Sequence, residues 1–200
     1  MTLSTRVLPP DYTKAAEINL ATSKGLAILL NIVGTVIALL SMWLLLGLIF
    51  RVHPELRPVA SSINFGMREV GRITAILLGL TVFNTVVHEL IHGFFFWRYT
   101  GSRPVFALKL SYAYAAAPEW FIPKRQYFVV ALAPLVVIDA AALLVIWLGP
   151  AGWAVPAAIV AAFNTGGAVG DLWVVIRLLF CSPACMVQDK GDGISFHEPV

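Results

Sequence analysis

The sequence predicts an all-α polytopic membrane protein, with four transmembrane helices and a membrane-associated β-strand or hairpin between the second and third. Three observations carry that expectation. Of the 200 residues, 59% are hydrophobic and only 12% charged, whereas soluble domains carry about 25% charged residues. Four stretches reach the roughly 20 mainly apolar residues that a helix needs to cross a bilayer. One segment between them alternates with period two instead. A chain of this length is expected to form one domain.

The first span, Leu26 to Phe50, contains no charge. It is too long, and begins too far from the N-terminus, to suggest a cleavable signal peptide. The second runs from about Ile73 to Trp97, the third from Tyr127 to Gly149, and the fourth from Trp153 to Phe180. None shows the two-residue alternation of a barrel strand, so helices are the expected way to satisfy their backbone groups in lipid. Residues 1–25 are then an N-terminal stub, 26–180 a four-span membrane domain and 181–200 a C-terminal tail.

Orientation follows from lysine and arginine. The stub, the long middle loop and the tail share one side and carry Arg6, Lys14, Lys24, Arg98, Arg103, Lys109, Lys124, Arg125, Arg177 and Lys190. The first loop opposite holds Arg51, Arg57, Arg68 and Arg72. The positive-inside bias places both termini in the cytoplasm of a multi-pass protein of the cell membrane. The net charge of +3 is thereby topological, and nucleic-acid binding is not expected.

Polar residues inside the spans carry the chemistry. His88-Glu89-Leu90-Ile91-His92 has HExxH spacing, which puts both imidazoles on one helix face, where they can converge on a zinc ion. Glu89 beside them can act as general base on water. An acidic side chain at the centre of a membrane helix costs about 2.5–3.5 kcal/mol, so ionisable residues there point to a functional site. The alternative is polar glue between helices.

A catalytic zinc site takes a third protein ligand, and depth discriminates between Asp139 and Asp171. His88 lies ten residues before Arg98, about 15 Å below the cytoplasmic boundary. Asp171 lies six before Arg177, about 9 Å below it, while Asp139 is about 21 Å beyond Arg125. Asp171 fits better, although it could instead reach towards Arg177. Gly166, Gly167, Ala168 and Gly170 flank it and allow close helix approach. Asp139 is expected to be a buried hydrogen-bonding residue or to sit near the outer boundary.

HELIHG in one span, ALAP in the next and FNTGGAVGD in the last together resemble the site-2 protease type of intramembrane zinc metalloprotease. More closely, they resemble the domain-of-unknown-function family described as "putative zincin peptidase". The resemblance covers about residues 70–180, which it makes the metalloprotease core, with the first span as an addition. It implies zinc held by His88, His92 and Asp171, with Glu89 catalytic. Site-2 proteases place the aspartate before a glycine and carry Asn-x-x-Pro upstream; here the order is Gly170-Asp171, and Asn164 precedes no such proline.

The resemblance further implies that Asn164, seven residues before Asp171, contacts the substrate backbone or an oxyanion; an interhelical hydrogen bond is the other reading. Asn84, one turn before His88, could orient that histidine or serve as packing. In PVFALKLSYAYA, Phe106, Leu108, Leu110, Tyr112 and Tyr114 fall on one strand face, with Val105, Ala107, Lys109, Ser111 and Ala113 on the other. Such a strand would offer a free edge to an extended substrate, with Tyr112 and Lys109 as further substrate or oxyanion contacts. A plain interfacial hairpin is the alternative.

Cys181 and Cys185 are spaced for metal but have no fixed neighbouring ligand, and reduced thiols, free or lipidated, are expected. His53 and His197 stand in polar flanks and are expected to be solvated. The expected function is a zinc-dependent endopeptidase of the bilayer, acting on a membrane-protein or peptide substrate in extended form near the cytoplasmic leaflet. A zinc-binding but inactive pseudoprotease and a small transporter or scaffold are the rivals. Oligomeric state is not legible.

Overall fold

A computed structural model describes residues 3–19, 22–57, 66–109 and 112–200. The chain is mostly helical, at 63%. Among the described residues there are five helices: α1 (Lys24–Val52), α2 (Met67–Thr100), α3 (Lys124–Leu148), α4 (Ala151–Gly167) and α5 (Val169–Leu179). The strands are β1 (Tyr12–Asn19), β2 (Val105–Leu108), β3 (Ala113–Ala116), β4 (Phe121–Pro123), β5 (Met186–Asp189) and β6 (Gly193–Pro199).

Helices α1, α2 and α3 are each long and apolar enough to cross a membrane. Large apolar side chains stand exposed along them, among them Leu39 and Trp43 on α1, Leu78 and Phe83 on α2, and Val136 and Trp147 on α3. An exterior of that kind is stable against hydrocarbon and unstable against water. The fourth span is not one helix. It is broken at Ala168 into α4 and α5, a bent pair that reaches spanning length only when counted together. At the break the Ala168 N–H donates to the Asn164 carbonyl, and the glycine-rich sequence GGAVG around it has low helix propensity.

The chain divides into two compact units. One comprises Met1–Asn31, His88–Pro134 and Val169–Val200. Its four-stranded sheet has the order β1-β6-β5-β4, with all neighbours antiparallel. Phe96, Ile122, Tyr127, Val130, Leu178, Val187 and Phe196 pack together as its core, so the sheet and the ends of α2, α3 and α5 share one apolar interior. The strands β1 and β6 lie in the segments expected as stub and tail. The expected β-structure was confined to a strand or hairpin between the second and third spans; a four-stranded sheet accompanies the helices as well.

The period-two segment is also not a single strand. It folds back as the β2–β3 hairpin, with Phe106 opposite Ala115 and Ala107 opposite Tyr114. Lys109 N–H donates to the Tyr112 carbonyl at 2.8 Å and closes the turn; Leu110 and Ser111 lie outside the described residues. Cross-strand partners share a face, so Tyr114 sides with Ala107 and not with Phe106. Register fixed at the turn overrides the simple alternation read along the chain.

The other unit comprises Ile32–Val87 and Leu135–Ala168. Ile49, Ile146, Ala154 and Ala158 form its core. Gly166 permits the closest approach there: a Cβ at this position would meet the Gly34 carbonyl oxygen at 2.6 Å. The close contact expected of the glycine-rich stretch is thus made at Gly166, while Gly170 beside Asp171 has open space. Asp139 is half-buried and accepts hydrogen bonds from Asn164 Nδ2 and Thr165 Oγ1, each at 2.8 Å, as a structural carboxylate does. His53 is not simply solvated, since its Nε2 pairs with the Ile146 carbonyl at 2.9 Å.

One detail of the sheet differs from expectation. His197 is buried in β6 against the edge of Phe121, with neither ring nitrogen partnered. Burial, then the charges of Lys14 and Lys190, push its pKa down, so it packs as a neutral ring. Asp189, also buried, accepts from the Tyr127 hydroxyl and the Gly191 N–H. Burial pushes its carboxyl up to about 6, against the opposing effect of those two donors. The folded state then holds a proton that the unfolded chain loses near pH 4, and stability falls as pH rises from about 4 to about 6. Thermal unfolding in detergent across that window is expected to show this slope, worth about 3 kcal/mol at most, and Asp189→Asn to lack it.

Candidate metal centre

His88 and His92 project from one face of α2, four residues apart, and both are buried. Asp171 lies in the first turn of α5, where the helix dipole favours a negative charge. The break at Ala168 creates that helix start, so Asp171 occupies the beginning of a new helix rather than the middle of an old one.

The three side chains converge. His88 Nε2 lies 3.1 Å from Asp171 Oδ2, and His92 Nε2 lies 3.2 Å from His88 Nε2. His92 Nε2 to Asp171 Oδ2, at 3.4 Å, closes the triangle. Zinc bonds of about 2.0–2.1 Å at tetrahedral angles hold neighbouring ligand atoms about 3.3 Å apart. The triangle therefore has the size of a zinc coordination face.

Proton accounting leads the same way. His92 Nδ1 lies 2.9 Å from the Val130 carbonyl, which can only accept, so Nδ1 carries the proton and neutral His92 turns a bare Nε2 lone pair inwards. A carboxylate oxygen faces that lone pair at 3.4 Å. With His92 neutral this contact is repulsive, and either a second proton on its ring or a cation at the centre makes it attractive. The donor set, two imidazoles and one carboxylate, is one that zinc accepts at catalytic sites.

Why Val130 has a carbonyl to offer is written four residues on. Pro134 sits inside α3 and is fully buried. Proline has no N–H, so the carbonyl four residues earlier loses its helical partner. That carbonyl is Val130, and His92 takes it up. In the sequence, ALAP counts as a family feature, and a proline within a span is the signal for this role.

Gly93 is the second residue whose role went unread. A Cβ there would come within 2.3 Å of Phe106 Cζ and 3.3 Å of Pro104. Lacking it, the helix lets the β2–β3 hairpin pack directly against the turn that bears His92. The half-buried Glu89 has His92, His88 and Asp171 as its ionisable neighbours, and the backbone amide of Ala115 in β3 as a hydrogen-bond partner. Asp171 keeps 27% of its side chain exposed, which leaves the centre approachable on that side.

A family model described as "putative zincin peptidase" matches residues 81–186, a stretch that runs from α2 through Asp171 to the start of β5. The chain belongs to that family. No curated protein and no solved structure matches it. Zincin peptidases are expected to hold zinc, and the His88, His92 and Asp171 group is a set that could bind a metal ion.

Lys109, Tyr112 and Asn164 have partners of their own. Lys109 Nζ bonds Asp192 at 2.6 Å and the Tyr112 hydroxyl bonds it at 2.7 Å, so the hairpin turn is latched to the β5–β6 turn. Asp192 is held below the usual carboxylate range by the Lys109 ammonium first and then by Tyr112. Asn164 is buried with its amide on Asp139. Asn84 is buried one turn before His88, but its side-chain oxygen has no hydrogen-bond partner.

Purified protein is expected to carry stoichiometric zinc at this centre. His88→Ala and Asp171→Ala should each lower zinc affinity by at least about 10–100-fold, the scale seen even for partners of metal ligands. Asp139→Asn should leave it unchanged within about threefold. Metal titration with a chromophoric competitor reads the difference.

Proposed function

We propose that this zincin-family chain is a zinc-dependent intramembrane endopeptidase of the site-2 protease type, cleaving peptide bonds within or next to membrane segments near the cytoplasmic leaflet. The observation that carries this reading is the triangle of His88, His92 and Asp171 ligand atoms, with Glu89 beside it and the two histidines on a helix apolar enough to span a bilayer. Both termini lie in the cytoplasm in this reading.

Bound zinc would polarise the scissile carbonyl and make the attacking water more acidic. The chain's own groups do the rest. His88, His92 and Asp171 hold the ion, and the Val130 carbonyl keeps His92 in the tautomer that can bind it. The Glu89 carboxylate takes one proton from the attacking water as its oxygen bonds to the scissile carbon. It then delivers that proton to the departing amide nitrogen as the C–N bond breaks. The neighbouring Ala115 amide holds the carboxylate in place between turnovers.

A transmembrane substrate must be extended before its carbonyl can reach the centre, and the hairpin offers the template. Lys109 and Tyr112 form a hydrogen-bonded pair at the turn. Alternation then makes Phe106 and Ala115 a non-hydrogen-bonded pair, which leaves the Ala115 N–H and carbonyl facing away from β2. The partnership of Ala115 with Glu89 agrees with that direction. A substrate strand added to the outer edge of β3 would run past Glu89.

Two variants test this. Glu89→Gln is expected to keep zinc and to lose at least about 100-fold in cleavage of a transmembrane peptide in liposomes, the lower range for general acid–base catalysis. Cleavage by Glu89→Gln at the wild-type rate would exclude the hydrolase mechanism. Ala115→Pro removes one edge N–H and should slow cleavage at unchanged zinc content, whereas Ala107→Pro, on the other strand, tests whether disrupting the hairpin itself has the same effect.

A further inference from the structure

Cys181 and Cys185 gain a partner through the fold that the sequence around them does not provide. Cys181 follows the end of α5, Cys185 immediately precedes β5, and Glu198 lies in β6, brought alongside by the β5–β6 pairing. One ligand atom from each, two Sγ and a carboxylate oxygen, lies within 4.8 Å of the others. Both cysteines are free thiols; Cys185 is buried, and Cys181 and Glu198 are half-buried.

The loop that carries them is held in shape. The Lys124 backbone N–H donates to the Cys185 carbonyl at 2.9 Å, and the Lys124 ammonium donates to the Cys181 carbonyl at 2.7 Å. One residue at the start of α3 thus clamps both cysteines' backbones. Glu198 is anchored as well, with Oε1 accepting from the Ser182 N–H at 2.6 Å. Its second oxygen remains for another partner, since a carboxylate offers about four lone-pair sites.

We propose that Cys181, Cys185 and Glu198 form a second metal site, separate from the His88–His92–Asp171 centre, that binds a thiophilic divalent cation such as zinc. Two thiolates and a carboxylate suit zinc among the common divalent ions, because thiolate selects against magnesium and calcium. As two S–metal bonds form, the two thiol protons pass to solvent. The ligands then carry three negative charges against the cation's two, and the Lys124 ammonium beside the loop offsets the remainder. Three protein ligands and partial exposure leave a fourth position to water. The bound ion would tie the end of α5 to β5 and β6 at the opposite end of the helix from Asp171, so the site is a brace on the helix that carries a catalytic-centre ligand.

Zinc per chain, measured on purified full-length protein after loading and buffer exchange, tests the assignment. Two zinc ions are expected in wild type. One is expected in the Cys181→Ser/Cys185→Ser double variant, and one in His88→Ala. Glu198→Gln should weaken the second ion by about tenfold or more, on the scale of lost coordination partners. In the His88→Ala background, zinc should protect both thiols from maleimide and a chelator should restore their labelling. That measurement stands even if the double cysteine variant fails to fold. A single ion in wild type with thiols that label equally with and without zinc would overturn the proposal, as would a Cys181–Cys185 disulfide in non-reduced protein. A single ion with protected thiols would instead support this site and count against the histidine centre.

Discussion

Three ligand atoms held 3.1–3.4 Å apart define the constraint that the surrounding structure serves. Unprotonated, donor atoms at that separation repel in an apolar setting, and a cation between them turns all three contacts attractive. Each nearby irregularity contributes to that closeness. The break at Ala168 starts a helix just before Asp171, Pro134 releases a carbonyl for His92, and Gly93 lets the hairpin press on the helix that bears both histidines.

Much of this was legible in the sequence because the signals were local. HExxH needs only helical periodicity to bring two imidazoles together, and it lies in an apolar run that had to be helical. Depth counted along the chain singled out Asp171 from Asp139, and the structure gives Asp139 two hydrogen-bond donors of its own. The apolar spans could be read from composition, apart from the fourth, where a continuous hydropathy signal concealed the break at Ala168.

What could not be read depends on partners distant in the chain. Strand β1 pairs with β6 from Tyr12 opposite Pro199 to Asn19 opposite Gly193, and neither strand is long or regular enough to stand out by itself. His197 looked solvated because its neighbours in sequence are polar; β-pairing buries it. Glu198 lies far from the cysteines in sequence, and the same pairing sets it beside them. Between the second and third spans, period two left strand and hairpin open, and the faces read along a single strand changed with the register of the hairpin.

Pro134 sets two demands on the chain against each other. A helix interior disfavours proline, by about 3 kcal/mol against alanine, so by local propensity alone almost any replacement would make α3 a better helix. The same replacement would supply an N–H to the Val130 carbonyl and compete with His92 for it. A gain in the stability of α3 would then appear as a less firmly oriented ligand in α2. Helix strength and metal affinity trade against each other through one carbonyl oxygen.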